Sequence, residues 1–149
     1  MPKATTICAA AGAAAALYYA LRRRKAAGAP SLATPDAPKD ETADARDARL
    51  RAKFAPKTGL TFYFFPRSPC ARRVWLTLLE KGIAHHAVVV NLLAGEQRHA
   101  AYLAINPQGK VPAIRAMGVP GLEDCILYES AAITEWLDEQ FPQTKQRYP

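Results

Sequence analysis

The chain has 149 residues, half of them apolar, which is enough for one ordinary domain with additional segments. Its formal net charge of +7 is uneven: residues 1–34 contain five basic residues and no acid, which leaves a net charge of +2 on the remaining 115. No stretch interleaves basic and aromatic residues on one surface, so the sequence predicts no nucleic-acid partner.

The three cysteines are Cys8, Cys70 and Cys125. An odd and sparse set argues against a disulfide framework and is typical of a reducing compartment such as the cytosol or the mitochondrial matrix. No cysteine–histidine spacing indicates zinc, so we expect no metal.

An uncharged segment from Ala4 to Leu21 is followed at once by the basic cluster of residues 22–25. Its 18 residues reach the lower limit for a membrane-spanning helix, and the basic cluster would mark the inner side. We predict a single-pass anchor over residues 1–25, in the mitochondrial inner membrane with the rest of the chain on the matrix side. The alternative location is the cytosolic face of another membrane. Because the segment is mostly alanine, an uncleaved targeting segment and a soluble helix stay open.

Residues 26–57 are rich in proline and alanine, and their only large apolar side chains are Leu32, Leu50 and Phe54. Such a segment cannot form a core of its own, and its prolines favour extended chain. We predict a solvated linker in which Asp40 caps a short helix that runs to Phe54.

The pattern changes at residue 58, and residues 58–149 are predicted to form the folded domain. Runs of apolar and aromatic residues predict strands over 60–65, 87–93, 111–115 and 125–128. Apolar residues at helical spacing predict helices over 70–81, 96–105 and 130–141.

The resulting order is β-α-β-α-β-β-α. A right-handed crossover makes the first two strands parallel, and the last two should form a hairpin through Gly118, Pro120 and Gly121. We therefore predict an α/β, thioredoxin-like fold with a four-stranded mixed sheet.

Three motifs in this domain resemble the N-terminal domain of cytosolic glutathione S-transferases, most closely the delta, phi, theta and zeta classes. They are Gly95-Glu96, the run Ile105-Asn-Pro-Gln-Gly-Lys-Val-Pro112, and Tyr128-Glu-Ser130 followed by Ala132-Ile133. The resemblance covers residues 60–149, and it implies a site for the tripeptide glutathione.

Ser68 matches the catalytic serine of those classes. At a helix N-terminus, its hydroxyl and the local dipole would stabilise a glutathione thiolate. An ordinary N-cap serine needs the same geometry, so that interpretation stays open. Cys70 lies in the first turn of the same helix, but no second cysteine completes a Cys-x-x-Cys pair; we favour a packed small residue there.

The other predicted site residues also follow from the resemblance. Val111-Pro112 matches the family's cis-proline turn, whose backbone would pair with the cysteinyl residue of glutathione. Glu129 and Ser130 match the pair that holds the γ-glutamyl group. Arg98 and Lys110 would neutralise the glycyl carboxylate.

The sequence also departs from the family pattern. The arginine that often follows Glu-Ser is Ala131, and the histidines commonly found near the second helix and before the Val-Pro are Gln97 and Gly109. In the family, a pair like Tyr148-Pro149 leads into an all-helical second domain that binds the second substrate.

These departures and the predicted anchor led us to favour a membrane-anchored accessory subunit of a larger assembly, of the mitochondrial respiratory-chain type, with a degenerate glutathione site. Its partners would be other subunits, which contact the linker and the domain, and the membrane through residues 4–21. The alternative is a glutathione-dependent transferase or isomerase in which Ser68 activates the thiol. A glutathione-binding sensor without turnover is a third hypothesis.

Overall fold

The computed structural model describes residues 40–142, which form one four-stranded sheet with helices packed on both faces. In chain order the elements are α1 (Ala43–Lys53), β1 (Gly59–Phe64), α2 (Pro69–Glu80), β2 (His86–Val89), a 3₁₀ turn (Glu96–Arg98), α3 (Ala100–Leu103), β3 (Ala113–Met117), β4 (Cys125–Tyr128) and α4 (Ser130–Gln140).

The sheet has the order β2-β1-β3-β4. β1 is parallel to β2, as the crossover through α2 requires, and β3 is antiparallel to both of its neighbours. The predicted thioredoxin-like layout, with its mixed sheet and its final hairpin, is confirmed.

Alternation along β1 divides the core into two clusters. Leu60, Phe62 and Phe64 point to the face that α2 and α4 cover. Tyr63 points to the other face, where it meets Tyr102 of α3. Because side chains alternate across a strand, one continuous apolar run supplies both faces of the sheet.

Two of the predicted elements are interrupted. The second strand stops at Val89, because Asn91 starts a turn in which its Oδ1 accepts the N–H groups of Leu93 and Ala94 at 3.1 and 3.2 Å. The predicted helix over 96–105 is broken at His99, which is extended (φ −73°, ψ 141°) and caps α3 by accepting the Ala101 N–H at Nδ1.

Part of the predicted linker belongs to the folded body. α1 begins at a cap formed by Thr42, not Asp40, since the Thr42 hydroxyl accepts the Ala45 N–H at 3.3 Å. Leu50 is fully buried, and the ring of Phe54 lies 5.3 Å from the ring of Tyr102. α1 therefore packs on the same face of the sheet as α3.

The predicted membrane-spanning segment, residues 4–21, lies outside the described residues. Within residues 40–142, no helix combines the length and the hydropathy needed to cross a membrane. The transmembrane part of the predicted architecture therefore has no support in the structure.

Truncation of Leu50 tests whether α1 is docked. Leu50→Ala should lower the free energy of unfolding by about 2–5 kcal/mol, because it leaves a cavity in a packed site. Leu93→Ala is the matched control: its side chain is 74 % exposed, and its loss should change stability by less than about 0.5 kcal/mol. Urea unfolding of the full chain measures both, and equal effects would contradict the docking of α1.

Candidate functional site

The sheet brings three of the predicted site segments to one edge. β3 pairs Ala113 with Tyr63 of β1 on one side and with Tyr128 of β4 on the other. Because β3 is antiparallel to both neighbours, it begins where they end. Val111-Pro112, Ser68 and Glu129-Ser130 therefore lie around adjacent strand ends.

Arg98 and Lys110 approach the same edge. β2 is parallel to β1, so the segment after β2, which carries Arg98, starts beside the end of β1. Lys110 directly precedes Val111. Both side chains are exposed, and neither makes a hydrogen bond or an ion pair with any residue in the range 40–142.

Ser68 is the N-cap of α2. Its Oγ accepts the N–H of Ala71 at 3.3 Å, and Pro69 occupies the first turn. The hydroxyl hydrogen is donated to no residue that the structure describes, so the group caps the helix and keeps a donor for a ligand.

Cys70 is exposed, so our interpretation of it as a packed small residue is wrong. The buried stripe of α2 consists of Ala71, Val74, Thr77 and Leu78. Helical spacing alone would place Cys70 on that stripe, since Val74 lies four positions later, but Cys70 stands in the first turn of α2 and is exposed.

The peptide bond between Val111 and Pro112 is cis, as predicted. Lys110, the residue before this turn, is held by side chains of α3 and of the loop that follows α3. The carbonyl of Lys110 accepts the hydroxyl of Tyr102 at 2.7 Å and the side-chain amide of Asn106 at 2.8 Å. The backbone N–H and C=O of Val111 pair with no described residue and are available to a ligand.

Glu129 and Ser130 form the start of α4. Glu129 has a positive φ of 74°, is exposed and makes no capping bond, so its carboxylate is available. Ser130 is buried, and its Oγ accepts Nη1 of Arg73 at 2.9 Å.

Sequence reasoning missed Arg73. Its position five residues after Ser68 gives no signal by itself, since the contact with Ser130 spans 57 positions. The structure nevertheless places a guanidinium beside the Glu-Ser pair, although Ala131 stands at the next position, where the family often has an arginine.

The structure explains the absence of one of the two family histidines, the one that would stand at residue 109. Gly109 has a φ of +62°, and a Cβ atom there would lie 3.1 Å from the backbone oxygen of Gln97. Any side chain at this position would be strained and crowded. The Gln97 segment and the Gly109 turn therefore pack closely, and a histidine at residue 109 would strain the turn and press on the Gln97 backbone.

Residues 67–140 match the family model described as the N-terminal domain of glutathione S-transferase. Residues 67–140 of this chain therefore belong to that family.

Similar proteins include a maleylacetoacetate isomerase from Pseudomonas aeruginosa, which is 41 % identical over 86 residues that cover 56 % of this chain and 38 % of the isomerase. Glutathione transferase F7 from Populus trichocarpa has a TM-score of 0.50 and 39 % identity, over 57 % of this chain and 37 % of that one. A glutathione transferase homologue from Sulfitobacter, solved with bound glutathione, has a TM-score of 0.50 and 34 % identity, over 58 % and 39 % of the two chains. The chain spans less than half the length of these relatives.

These findings overturn the function that we favoured from the sequence. The matched proteins are named as glutathione transferases and as an isomerase, and they favour the alternative over an accessory subunit of a membrane assembly. The single-pass membrane localisation is contradicted with it. The departures at Ala131, Gln97 and Gly109 therefore do not by themselves indicate a degenerate site.

Tyr102 gives a pH-dependent test of the turn before Val111. Burial, and then the neighbouring Tyr63, raise the pKa of Tyr102. Above about pH 10 an unfolded tyrosine loses its proton while the folded one keeps it, so stability falls as the pH rises. Tyr102→Phe should make that alkaline fall shallower, and the loss of its hydrogen bond should cost about 1 kcal/mol at pH 7.

The measurement is urea unfolding of the glutathione S-transferase domain in the full chain at pH 7 to 11. Tyr128→Phe, which removes an exposed phenol, is the matched control. The same alkaline slope in Tyr102→Phe as in the original chain would contradict a buried neutral phenol at Tyr102.

Proposed function

We propose that this domain binds glutathione at the shared edge of β1, β3 and β4 and uses its thiol as the nucleophile of a transferase or isomerase reaction. The observation that carries the proposal is the convergence there of Ser68, Val111-Pro112 and Glu129-Ser130. The relatives named as transferases and as maleylacetoacetate isomerases support this class of reaction.

The γ-glutamyl end of glutathione carries an ammonium and a carboxylate. The available carboxylate of Glu129 would bind the ammonium. The N-terminal amides of α4 and the hydroxyl of Ser130 would bind the carboxylate, since helix N-termini favour anions. Arg73, bonded to Ser130, adds positive charge behind that hydroxyl.

The cysteinyl residue would pair its backbone with Val111. An extended peptide that lies along this residue would satisfy both of the unpaired backbone groups of Val111, in the manner of an added strand. At the glycyl end, the exposed cations of Arg98 and Lys110 would neutralise the terminal carboxylate.

Ser68 would then face the thiol. Its hydroxyl donates a hydrogen bond to the thiolate while its oxygen keeps the Ala71 amide, and the N-terminus of α2 contributes positive potential. The thiol proton leaves to solvent, and the thiolate forms a carbon–sulfur bond with an electrophilic carbon of the substrate. Either a leaving group departs with its electron pair, or the π-electrons of an activated double bond move to the neighbouring atoms and take up a proton from solvent. In an isomerase that bond breaks again and returns the thiolate.

Glu129→Gln tests the binding mode. The change keeps the shape of the side chain and removes the charge, so the Kd for glutathione should rise about 10- to 100-fold, the range expected for a charge-assisted hydrogen bond. Isothermal titration calorimetry of the full chain measures it. Glu135→Gln, at an exposed glutamate of the same helix, should leave the Kd unchanged. No heat with the original chain at millimolar glutathione would overturn the proposal.

Ser68→Ala tests the activation of the thiol. Removal of one donor from a developing or bound anion should lower the rate of glutathione conjugation or of maleylacetoacetate isomerisation about 100-fold. Ser68→Ala should also raise the pKa of the thiol of bound glutathione, which is measured from the ultraviolet absorbance of the thiolate.

Ser68→Thr is the control for that experiment, since it keeps both the hydroxyl and the helix cap. It should retain most of the rate. An unchanged thiol pKa in Ser68→Ala would show that Ser68 is a cap and nothing more.

A further inference from the structure

Helix α1 supplies the cations that pair with a buried carboxylate of the glutathione S-transferase domain. It lies outside residues 67–140, the part that the family model matches. Nζ of Lys53 lies 2.5 Å from Oε2 of Glu96, and Nη1 of Arg49 lies 3.3 Å from Oε1. Only 4 % of the Glu96 side chain is exposed. A buried carboxylate that loses such partners is strongly destabilised, so Glu96 depends on α1.

Glu96 organises the loop that carries Arg98. Its Oε2 also accepts the N–H of Asn91 at 2.8 Å, and its own N–H bonds to the Asn91 carbonyl at 3.1 Å. These reciprocal bonds close the loop over 91–96, and Arg98 follows two residues later at the end of the 3₁₀ turn.

Two further contacts from α1 hold the same segment. Nη2 of Arg46 donates to the carbonyl of Ala94 at 2.7 Å. Nε2 of His99 lies 3.0 Å from Oδ1 of Asp47, and its Nδ1 accepts the Ala101 N–H. The ring therefore carries its hydrogen on Nε2 and donates it to Asp47. Side chains of α1 thus contact the segment on both sides of Arg98.

Arg98 is next to α1 in space. An open cleft of about 500 Å³ is lined by Gly95, Arg98 and His99 on one side and by Glu41, Ala43, Arg46 and Asp47 on the other. Arg46, Arg49 and Lys53 share one face of α1, since they are spaced by three and four residues. That face contacts Ala94 and Glu96, and Asp47 beside it contacts His99.

We propose that α1 is a strap that positions Arg98 for the glycyl carboxylate of glutathione, with Arg49 and Lys53 as positioning residues that act through Glu96. The proposal rests on the proposed function, in which Arg98 contacts that carboxylate. It makes a stretch outside the family domain a determinant of affinity at the glycine end of the ligand.

A strap that positions Arg98 differs from a helix that only stabilises the fold. General loosening of the domain would weaken every ligand alike. Displacement of Arg98 weakens only ligands that carry the glycyl carboxylate. γ-Glutamylcysteine lacks the glycine and keeps the groups that the other site residues bind, so it separates the two effects.

The test is the double variant Arg49→Ala/Lys53→Ala in the full chain, titrated with glutathione and with γ-glutamylcysteine by calorimetry. The Kd for glutathione should rise about tenfold, as expected for one misplaced charge-assisted contact, and the Kd for γ-glutamylcysteine should stay within about twofold. Lys57→Ala removes an exposed cation that makes no contact with Glu96 or Asp47, and it should change neither value.

An equal loss for both ligands would overturn the proposal, and so would no loss for either. Lys53→Met and Lys53→Arg cover the case in which the double variant does not fold. Lys53→Met should reproduce the selective loss, and Lys53→Arg, which keeps the cation, should restore the original ratio of the two Kd values.

Hydrogen exchange without ligand separates this proposal from the proposed function. In Arg49→Ala/Lys53→Ala the amide of Asn91 should exchange at least about tenfold faster, while the amides of α2 keep their protection. Unchanged exchange at Asn91 would overturn the strap even if glutathione binds. If exchange at Asn91 becomes faster but the chain binds no glutathione, α1 does stabilise the loop and its proposed role in binding is wrong.

Discussion

The position of β3 between β1 and β4 is the constraint on which the site depends. One residue, Ala113, faces Tyr63 on one side and Tyr128 on the other, and this register sets where the strand ends meet. A slip of one residue would turn the apolar side chains of β3 to the wrong faces, so the core fixes the register. The strand register alone then brings together the cis turn before β3 and the starts of the two helices that follow β1 and β4.

The same groups therefore carry both the fold and the pocket. Ser68 caps α2, the Val111-Pro112 turn starts β3, and Ser130 opens α4. Such motifs identify the glutathione S-transferase domain before they say anything about turnover, because each has a structural use. What distinguishes a ligand site is the set of groups that pair with nothing within residues 40–142: the Glu129 carboxylate, the backbone of Val111 and the cation of Arg98.

The sequence predicted the features that depend on local patterns. The order of strands and helices along the chain and the cap at Ser68 follow from short runs of residues, and the cis turn follows from the resemblance to the glutathione S-transferases. The docking of α1 could not be predicted in this way, because its residues are mostly charged or alanine and only Leu50 and Phe54 enter the core. Its ion pairs with Glu96 join positions more than 40 residues apart, a separation at which no periodicity gives a signal.

The structure also changes what the missing family residues mean. The absence of the family arginine and histidines suggests a degenerate pocket only if each position is considered without its neighbours in space. The positive φ of Gly109 and the nearby Gln97 backbone favour glycine, so a histidine there would strain the turn that presents Val111. Near Ser130, a guanidinium reaches the site from α2 through Arg73 rather than from the residue after the serine. A pocket is defined by the charges and donors that reach it in space, and different positions of the chain can supply them. The missing residues therefore do not indicate a degenerate pocket, and the groups at the sheet edge that pair with nothing in residues 40–142 are the stronger guide to what this domain binds.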